Sequence, residues 1–475
     1  VTSFGGNGLL GGHEQVLIVT LAAFQIAAIL TVPSVLLRRR GHPASAISWL
    51  LAIMAMPALG LLSWWAFGRK RIERRLRRHL NTKKAFLTKQ GAPSSRQHTS
   101  FDSLLPARAQ NEYVFSSPGN QLELLQDGKR AFDSILREVQ NAKSCIHLQF
   151  YIFRLDRTGK KLVDLLIEKA KSGVRVRLLV DALGCRNTVG SLRRVLTPHG
   201  VEIGIFRPSK YSPLHSPRFN FVNHRKIAVV DNQVAFTGGM NIAEEYEYKW
   251  RDLMLLTRGP AVAGLHHIFL EDWFFATGEA LDDPLRDHHN ADETGCNTAV
   301  ISSGPDTEPW ILDAYFLAVT RAESSIRLAT PYFIPPQALL TALRTAAGRG
   351  VDVRIYVPSH SDVKFVKWAS RSYYGQLVDA GVRIFEFQGT MLHAKALLVD
   401  EAISSIGSAN LDNRSLHLNF EVSCQIESKK LANQLEQWFV SLDGDSLEMT
   451  KKRLAEKGIA RKLAESAAHL LSPLL

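Results

Sequence analysis

The sequence predicts an α/β protein made of two copies of one unit, carried behind an apolar N-terminal hairpin. Strand-like and helix-like segments alternate along most of the chain, the pattern of a largely parallel sheet with crossover helices. A set of polar residues recurs at a constant offset of 169 positions, and two runs near the N-terminus carry no formal charge. Of the 475 residues, 45% are hydrophobic and 22% charged, which excludes a disordered or fibrous chain. The four cysteines (Cys145, Cys185, Cys296 and Cys424) are far apart, which argues against a disulfide scaffold or a zinc module.

The hairpin is read from Gln15–Leu37 and Ala44–Gly68, 23 and 25 residues long. At about 1.5 Å per residue, either would cross a hydrocarbon core of about 30 Å. Pro33 and Pro57 are tolerable in membrane helices, and Trp64 and Trp65 stand where an interfacial belt would. A cleaved signal peptide fits poorly, because the basic cluster follows the apolar run and a second run comes directly after it. Two buried helices of a soluble protein remain the plain alternative. Residues 1–90 hold thirteen Lys and Arg against Glu14 and Glu73, so they carry +11 of the chain's net +13. The rest is almost neutral, which disfavours nucleic acid as partner and favours an anionic membrane surface. Arg38–Arg40 oppose seven basic residues between Arg69 and Arg78, so the positive-inside rule places everything after Gly68 in the cytoplasm. Ile72, Leu76 and Leu80 recur among those arginines as on a helix lying on a membrane, or simply on a solvated one.

The expected order is a transmembrane hairpin over 1–68, a basic helix and linker over 69–111, and two similar lobes over 112–285 and 286–475. A polar stretch, Leu281–Asn297, separates the lobes; its His288 and His289 read as part of an acidic surface loop. Each lobe carries a short apolar strand, a helical run and a second strand opening on Gly-Val: Ser144–Leu148, Gly159–Ser172 and Gly173–Asp181 in the first, Ser324–Leu328, Gln337–Arg349 and Gly350–Pro358 in the second. Such self-similarity implies two copies of one unit about a pseudo-twofold axis.

The copies converge on one constellation: His224, Lys226, Asp231, Gly238, Asn241 and Asp252 in the first, and His393, Lys395, Asp400, Gly407, Asn410 and Glu421 in the second. Residues i and i+2 of a strand share a face, so His and Lys project together, while each Asp opens the turn to the next strand. Two halves face to face would offer two imidazoles, two ammonium groups and the amides of Asn241 and Asn410 to one anion. A phosphodiester suits that set. One neutral imidazole would attack phosphorus while the other protonates the departing alkoxide. Asp252 and Glu421 would each fix a histidine tautomer, as a triad carboxylate does. Asp231 and Asp400 are expected to orient local structure, and His147, His215, His266 and His267 to be structural. No divalent metal or other cofactor is called for.

These residues resemble the phospholipase D superfamily, which is defined by duplicated HxKxxxxD motifs; the likeness runs from about Tyr113 to the C-terminus. It implies two α/β lobes with the active site at their interface and catalytic roles for His224, Lys226, Asp231, His393, Lys395 and Asp400. By that analogy His224 is the nucleophile and His393 the general acid/base. Thr237–Tyr246, Pro331–Pro335, Gly407–Ser415 and Leu470–Leu475, with the hairpin and its basic flank, are similar to bacterial cardiolipin synthases. That implies a multi-pass enzyme of the bacterial inner membrane, which moves a phosphatidyl group from one phosphatidylglycerol to another and releases glycerol. The alternative is a hydrolytic phospholipase D that yields phosphatidic acid. Oligomeric state stays open. The aromatic run Leu265–Phe275 is expected either to dock on the bilayer or line a lipid entrance, or to be a core-packing helix, and Ser446–Leu475 to form one or two amphipathic helices.

Overall fold

The computed structural model describes residues 12–40, 43–68, 114–206, 221–281, 294–361 and 363–470. They fall into two compact units, residues 12–68 and 114–470. The basic segment after Gly68, the linker, His215, His288 and His289 lie outside the described residues.

In the N-terminal unit, α1 (Gly12–Arg38) is continuous through Pro33. Its segment Gln15–Arg38 is, among the described residues, the one helix long and apolar enough to cross a membrane, and most of its side chains are exposed. The second run is not one helix. It divides into α2 (Pro43–Ala55), α3 (Pro57–Ser63) and a π-helical turn, Trp64–Gly68. The break falls where Pro57 lacks an N–H and its ring opposes the preceding turn, with Met56 non-helical at φ −137° and ψ 76°. The 13 residues of α2 rise only about 20 Å, short of a hydrocarbon core. One candidate span therefore stands where the sequence predicts two. Val35, Ile53 and Trp64 close the small core between these helices.

The second unit is organised on one sheet of fifteen strands. The first copy supplies β1 (Val114–Leu125), β2 (Cys145–Phe150), β3 (Arg175–Asp181), β4 (Glu202–Phe206), β5 (Ile227–Val230), β6 (Val234–Gly238) and β7 (Met254–Arg258). The second supplies β8 (Cys296–Ser303), β9 (Ser325–Ala329), β10 (Asp352–Pro358), β11 (Arg383–Phe387), β12 (Ala396–Val399), β13 (Ile403–Gly407), β14 (Glu421–Glu427) and the edge strand β15 (Ser446–Glu448). The first half runs β4-β3-β2-β5-β6-β7-β1 and the second β11-β10-β9-β12-β13-β14-β8, so the order repeats strand for strand. The halves join through the antiparallel pair β1–β8, with Val114 opposite Ile301.

Only β2-β3-β4 and β9-β10-β11 are parallel, so the sheet is mixed rather than largely parallel. The cause is the repeated motif itself. Its Asp opens a tight turn, with Asp231 and Asn232 at φ 52° and 57° and Asp400 and Glu401 at 52° and 51°. Such a turn joins antiparallel neighbours, here β5–β6 and β12–β13.

Helices cover the sheet. Arg157–Lys171 starts where Asp156 Oδ1 accepts from the Gly159 amide, 3.0 Å away, and buries Leu162, Val163 and Leu166. Helix Ala261–Thr277 holds the aromatic run, and it is a core element: Trp273 is 2% and Phe274 8% exposed, packed with Leu179, Phe206 and Phe420. The bilayer-docking reading of Leu265–Phe275 is thereby overturned, since β-strands and loops already occupy the faces a membrane would need. At the C-terminus the expected helices form as Lys451–Ala455 and Ile459–Leu470, after β15.

Candidate active site

The two motif histidines enter the site on extended segments just before β5 and β12, outside the sheet ladders. Each segment is paired with the other copy. Asn223 bridges Phe420, and the His224 amide donates to the Phe420 carbonyl at 2.9 Å. Leu392 bridges Arg251, and the His393 amide donates to the Arg251 carbonyl at 2.8 Å. Phe420 and Arg251 immediately precede Glu421 and Asp252. The bridges therefore deliver each carboxylate to the histidine of the opposite copy.

His224 Nδ1 lies 3.0 and 3.1 Å from the Glu421 carboxylate oxygens, and His393 Nδ1 lies 2.7 Å from Asp252 Oδ2. A carboxylate only accepts, so Nδ1 of His224 carries the proton; Nδ1 and Nε2 of His393 also lie 2.6 and 3.2 Å from Lys395 Nζ. The pairs are not equivalent. Ser408 Oγ donates to Glu421 Oε2 at 2.5 Å. At the matching position, 169 residues earlier, stands Gly239, where a Cβ would come within 2.1 Å of Asp252 Oδ1. Burial alone would raise both acids. Contacts with His224, Lys226 and Ser408 outweigh it and hold Glu421 below its usual value, whereas Asp252 is pushed up to about 6. Burial also holds His224 below the ordinary imidazole value, against the pull of Glu421.

Both lysines are buried behind their histidines. Lys226 Nζ donates to the His224 carbonyl at 2.6 Å, and burial brings it down to about 7. Lys395 Nζ donates to the His393 carbonyl and lies 2.6 Å from His393 Nδ1. His224, His393, Asn241 and Asn410 line one cavity of about 430 Å³. Asn241 is partly committed, since Nδ2 donates to the Tyr246 hydroxyl and Oδ1 accepts from the Ile152 amide. Asn410 Oδ1 is buried and unbonded.

Asp231 and Asp400 do not reach the cavity. Asp231 accepts from the amides of Lys143, Ser144 and Cys145, and Asp400 from those of Glu323, Ser324 and Ser325, all within 3.0 Å. They clamp the β5–β6 and β12–β13 turns to the start of β2 and β9. His147 and His266 stack on each other in the core, away from the cavity, and His267 packs against Phe115. The sequence reading missed Tyr151, Tyr246, Arg414 and Asn419, which share the cavity wall. Asn419 and Arg414 sit within ten residues of Asn410, a proximity that could have flagged them. Tyr151 and Tyr246 are brought in by the fold. Val363 and Val366, at the start of helix Lys364–Ser372, with Tyr332 and Ile334, make one wall apolar.

Fold and site together define an α/β protein in which two imidazoles from the two copies line one polar cavity. The family model described as "Cardiolipin synthase, PLD-like domain" matches residues 135–273 and 316–442. A "Cardiolipin synthase 2" of Bacillus anthracis is 36% identical over 96% of this chain and 90% of its own length. A "Cardiolipin synthase" of Geobacillus kaustophilus (strain HTA426) is 36% identical over 98% of this chain and 96% of its own. The crystal structure of a phosphatidylserine synthase from Haemophilus influenzae Rd KW20 shares the fold, with a TM-score of 0.59 at 15% identity over 75% of this chain and 95% of that one. The chain belongs to the cardiolipin synthase family of phospholipase D-like proteins. It is accordingly an enzyme, a phosphatidyltransferase.

Proposed function

We propose that this enzyme transfers a phosphatidyl group between two phosphatidylglycerol molecules, giving cardiolipin and glycerol, by a ping-pong route through phosphohistidine. The observation that carries the reading is that His224 and His393 line one cavity, each with Nδ1 held by a carboxylate from the opposite copy. His224 Nε2 attacks the donor phosphorus, and the bond from phosphorus to the glycerol oxygen breaks. His393, protonated, gives its Nε2 proton to that oxygen, and glycerol departs. The neutral His393 then takes the proton of the acceptor's hydroxyl, the new oxygen–phosphorus bond forms, and the phosphorus–nitrogen bond to His224 breaks. Lys226, Lys395 and the asparagine amides meet the charge developing on the phosphoryl oxygens. The neutral imidazole favoured by burial suits His224 to the nucleophile's part. Tyr332, Ile334, Val363 and Val366 offer an apolar wall for the diacylglycerol part of the donor.

An apolar, mostly exposed α1 suits anchoring in a bacterial membrane, and the basic residues after Gly68 suit a cytoplasmic catalytic unit. Incubation of the purified enzyme in detergent with headgroup-labelled phosphatidylglycerol is expected to release labelled glycerol and one cardiolipin per glycerol. Phosphatidic acid in place of cardiolipin would assign the enzyme to hydrolysis.

A further inference from the structure

A second cavity, of about 600 Å³, adjoins the first and shares Tyr151, Ile152 and Leu183 with it. Its far wall is the turn after β3, which carries Arg186. That turn is tied by hydrogen bonds to the segment that carries His224. Asp181 Oδ1 accepts from the amides of Leu183 and Gly184 at 2.7 and 3.1 Å, and Oδ2 accepts from the Asn223 amide, next to His224, at 3.0 Å. Gly184 is required there, since a Cβ would stand 2.0 Å from the Tyr151 carbonyl oxygen. Cys185 Sγ accepts from the Phe153 amide and donates to the Tyr151 carbonyl, closing the turn against the same strand end.

The charges in this second cavity are unequal. Arg154 is paired with Glu245 at 2.7 Å, and Asp156 is spent on the amides of Gly159 and Glu244. Arg186 has no side-chain partner among the described residues. Tyr151 stands between the cavities, its ring 5.0 Å from that of His224. Burial pushes its hydroxyl up to about 12, and the charges of Arg186 and Arg414, one from each cavity wall, act on it in the opposite sense.

We infer that this second cavity is the subsite for the acceptor lipid's headgroup, with Arg186 binding its phosphodiester while its glycerol hydroxyl reaches the phosphohistidine. The inference rests on the proposed transferase reaction, in which the phosphohistidine and the acceptor's anionic phosphodiester must occupy the site at once. The two histidines serve one, and an unpaired guanidinium in the adjoining cavity serves the other. Holding the acceptor this way raises its effective concentration against water.

The test uses Arg186→Gln and Arg186→Lys in the full chain, in mixed micelles of phosphatidylglycerol. Two rates are read: cardiolipin formation, and exchange of free labelled glycerol into phosphatidylglycerol, which needs no second phosphate. Arg186→Gln is expected to raise the KM for acceptor roughly ten- to hundred-fold in cardiolipin formation, with glycerol exchange unchanged and partial recovery in Arg186→Lys. Equal losses in both reactions, or undiminished cardiolipin formation, would overturn the subsite alone. A wild-type enzyme that exchanges glycerol yet makes no cardiolipin would overturn the transferase reading, and the subsite with it.

Discussion

Each motif histidine depends on a carboxylate from the other copy, and this crossing sets what single substitutions do. His224→Ala and His393→Ala should each reduce cardiolipin formation by about 10⁴-fold or more. They should differ with a p-nitrophenyl phosphodiester, whose leaving group needs no proton. His393→Ala should still release one equivalent of nitrophenol in a burst, and His224→Ala none. Release from His224→Ala alone would reverse the assignment. Burial keeps the His224 imidazole below its ordinary value of 6.5, so the reactive neutral form is lost only as pH falls beneath it, giving kcat/KM an acid limb. Glu421 pulls in the opposite direction. Removing its charge in Glu421→Gln should therefore move that limb to lower pH while reducing the plateau. A limb that moves upward would show that Glu421 is not the ionised partner. Sequence spacing identified all four members of these pairs. It could not say which acid serves which histidine, because the answer lies in the bridges Asn223–Phe420 and Arg251–Leu392, which join residues far apart in the chain.

Among the elements, the turns and the aromatic helix behave differently from what local pattern suggests. Asp231 and Asp400 belong to the signature motif, yet their oxygens are filled by backbone amides at the β2 and β9 starts. Asp231→Ala should destabilise the catalytic unit by about 1–3 kcal/mol, read as a lower unfolding midpoint, without changing kcat in the molecules still folded. Burial would raise both carboxyls, but the amide and hydroxyl donors together outweigh it and hold them below their ordinary value of 3.8. Their stabilisation is therefore complete above that pH and lost as pH falls through the depressed folded value. Helix Ala261–Thr277 is rich in apolar and aromatic residues, which read equally as a lipid-facing or a core helix, and the packing of Trp273 beside Leu179, Phe206 and Phe420 decides. Trp273→Ala should cost about 3–5 kcal/mol and depress every activity in step with the folded fraction. Selective loss of turnover on bilayers would restore the docking role. In the N-terminal unit, charge-free length predicted a second span, and Pro57 broke it.

For the whole molecule, the crossed histidine–carboxylate pairs predict that neither copy alone works as an enzyme. Each half holds one histidine and the acid belonging to the other, and β1–β8 carries the ladder across the boundary. Cleavage at an engineered protease site within residues 282–293 should leave the halves associated and active. Either half expressed alone should be inactive, and mixing separately folded halves should restore activity only if β1 and β8 can pair. Activity from an isolated half would contradict the crossed arrangement.

The sequence by itself determined that there are two copies, which residues recur in each, and that a strongly basic, apolar N-terminus precedes a nearly neutral body. Those are properties of spacing and composition, fixed without any contact. The tertiary structure decided the mixed sheet, the pairing of each acid with the opposite histidine, the burial of the aromatic helix and the second cavity beside Tyr151. The crossed pairs join residues 197 and 141 positions apart, the others depend on how nearer segments pack, and periodicity along a chain carries no record of which partner a residue will face.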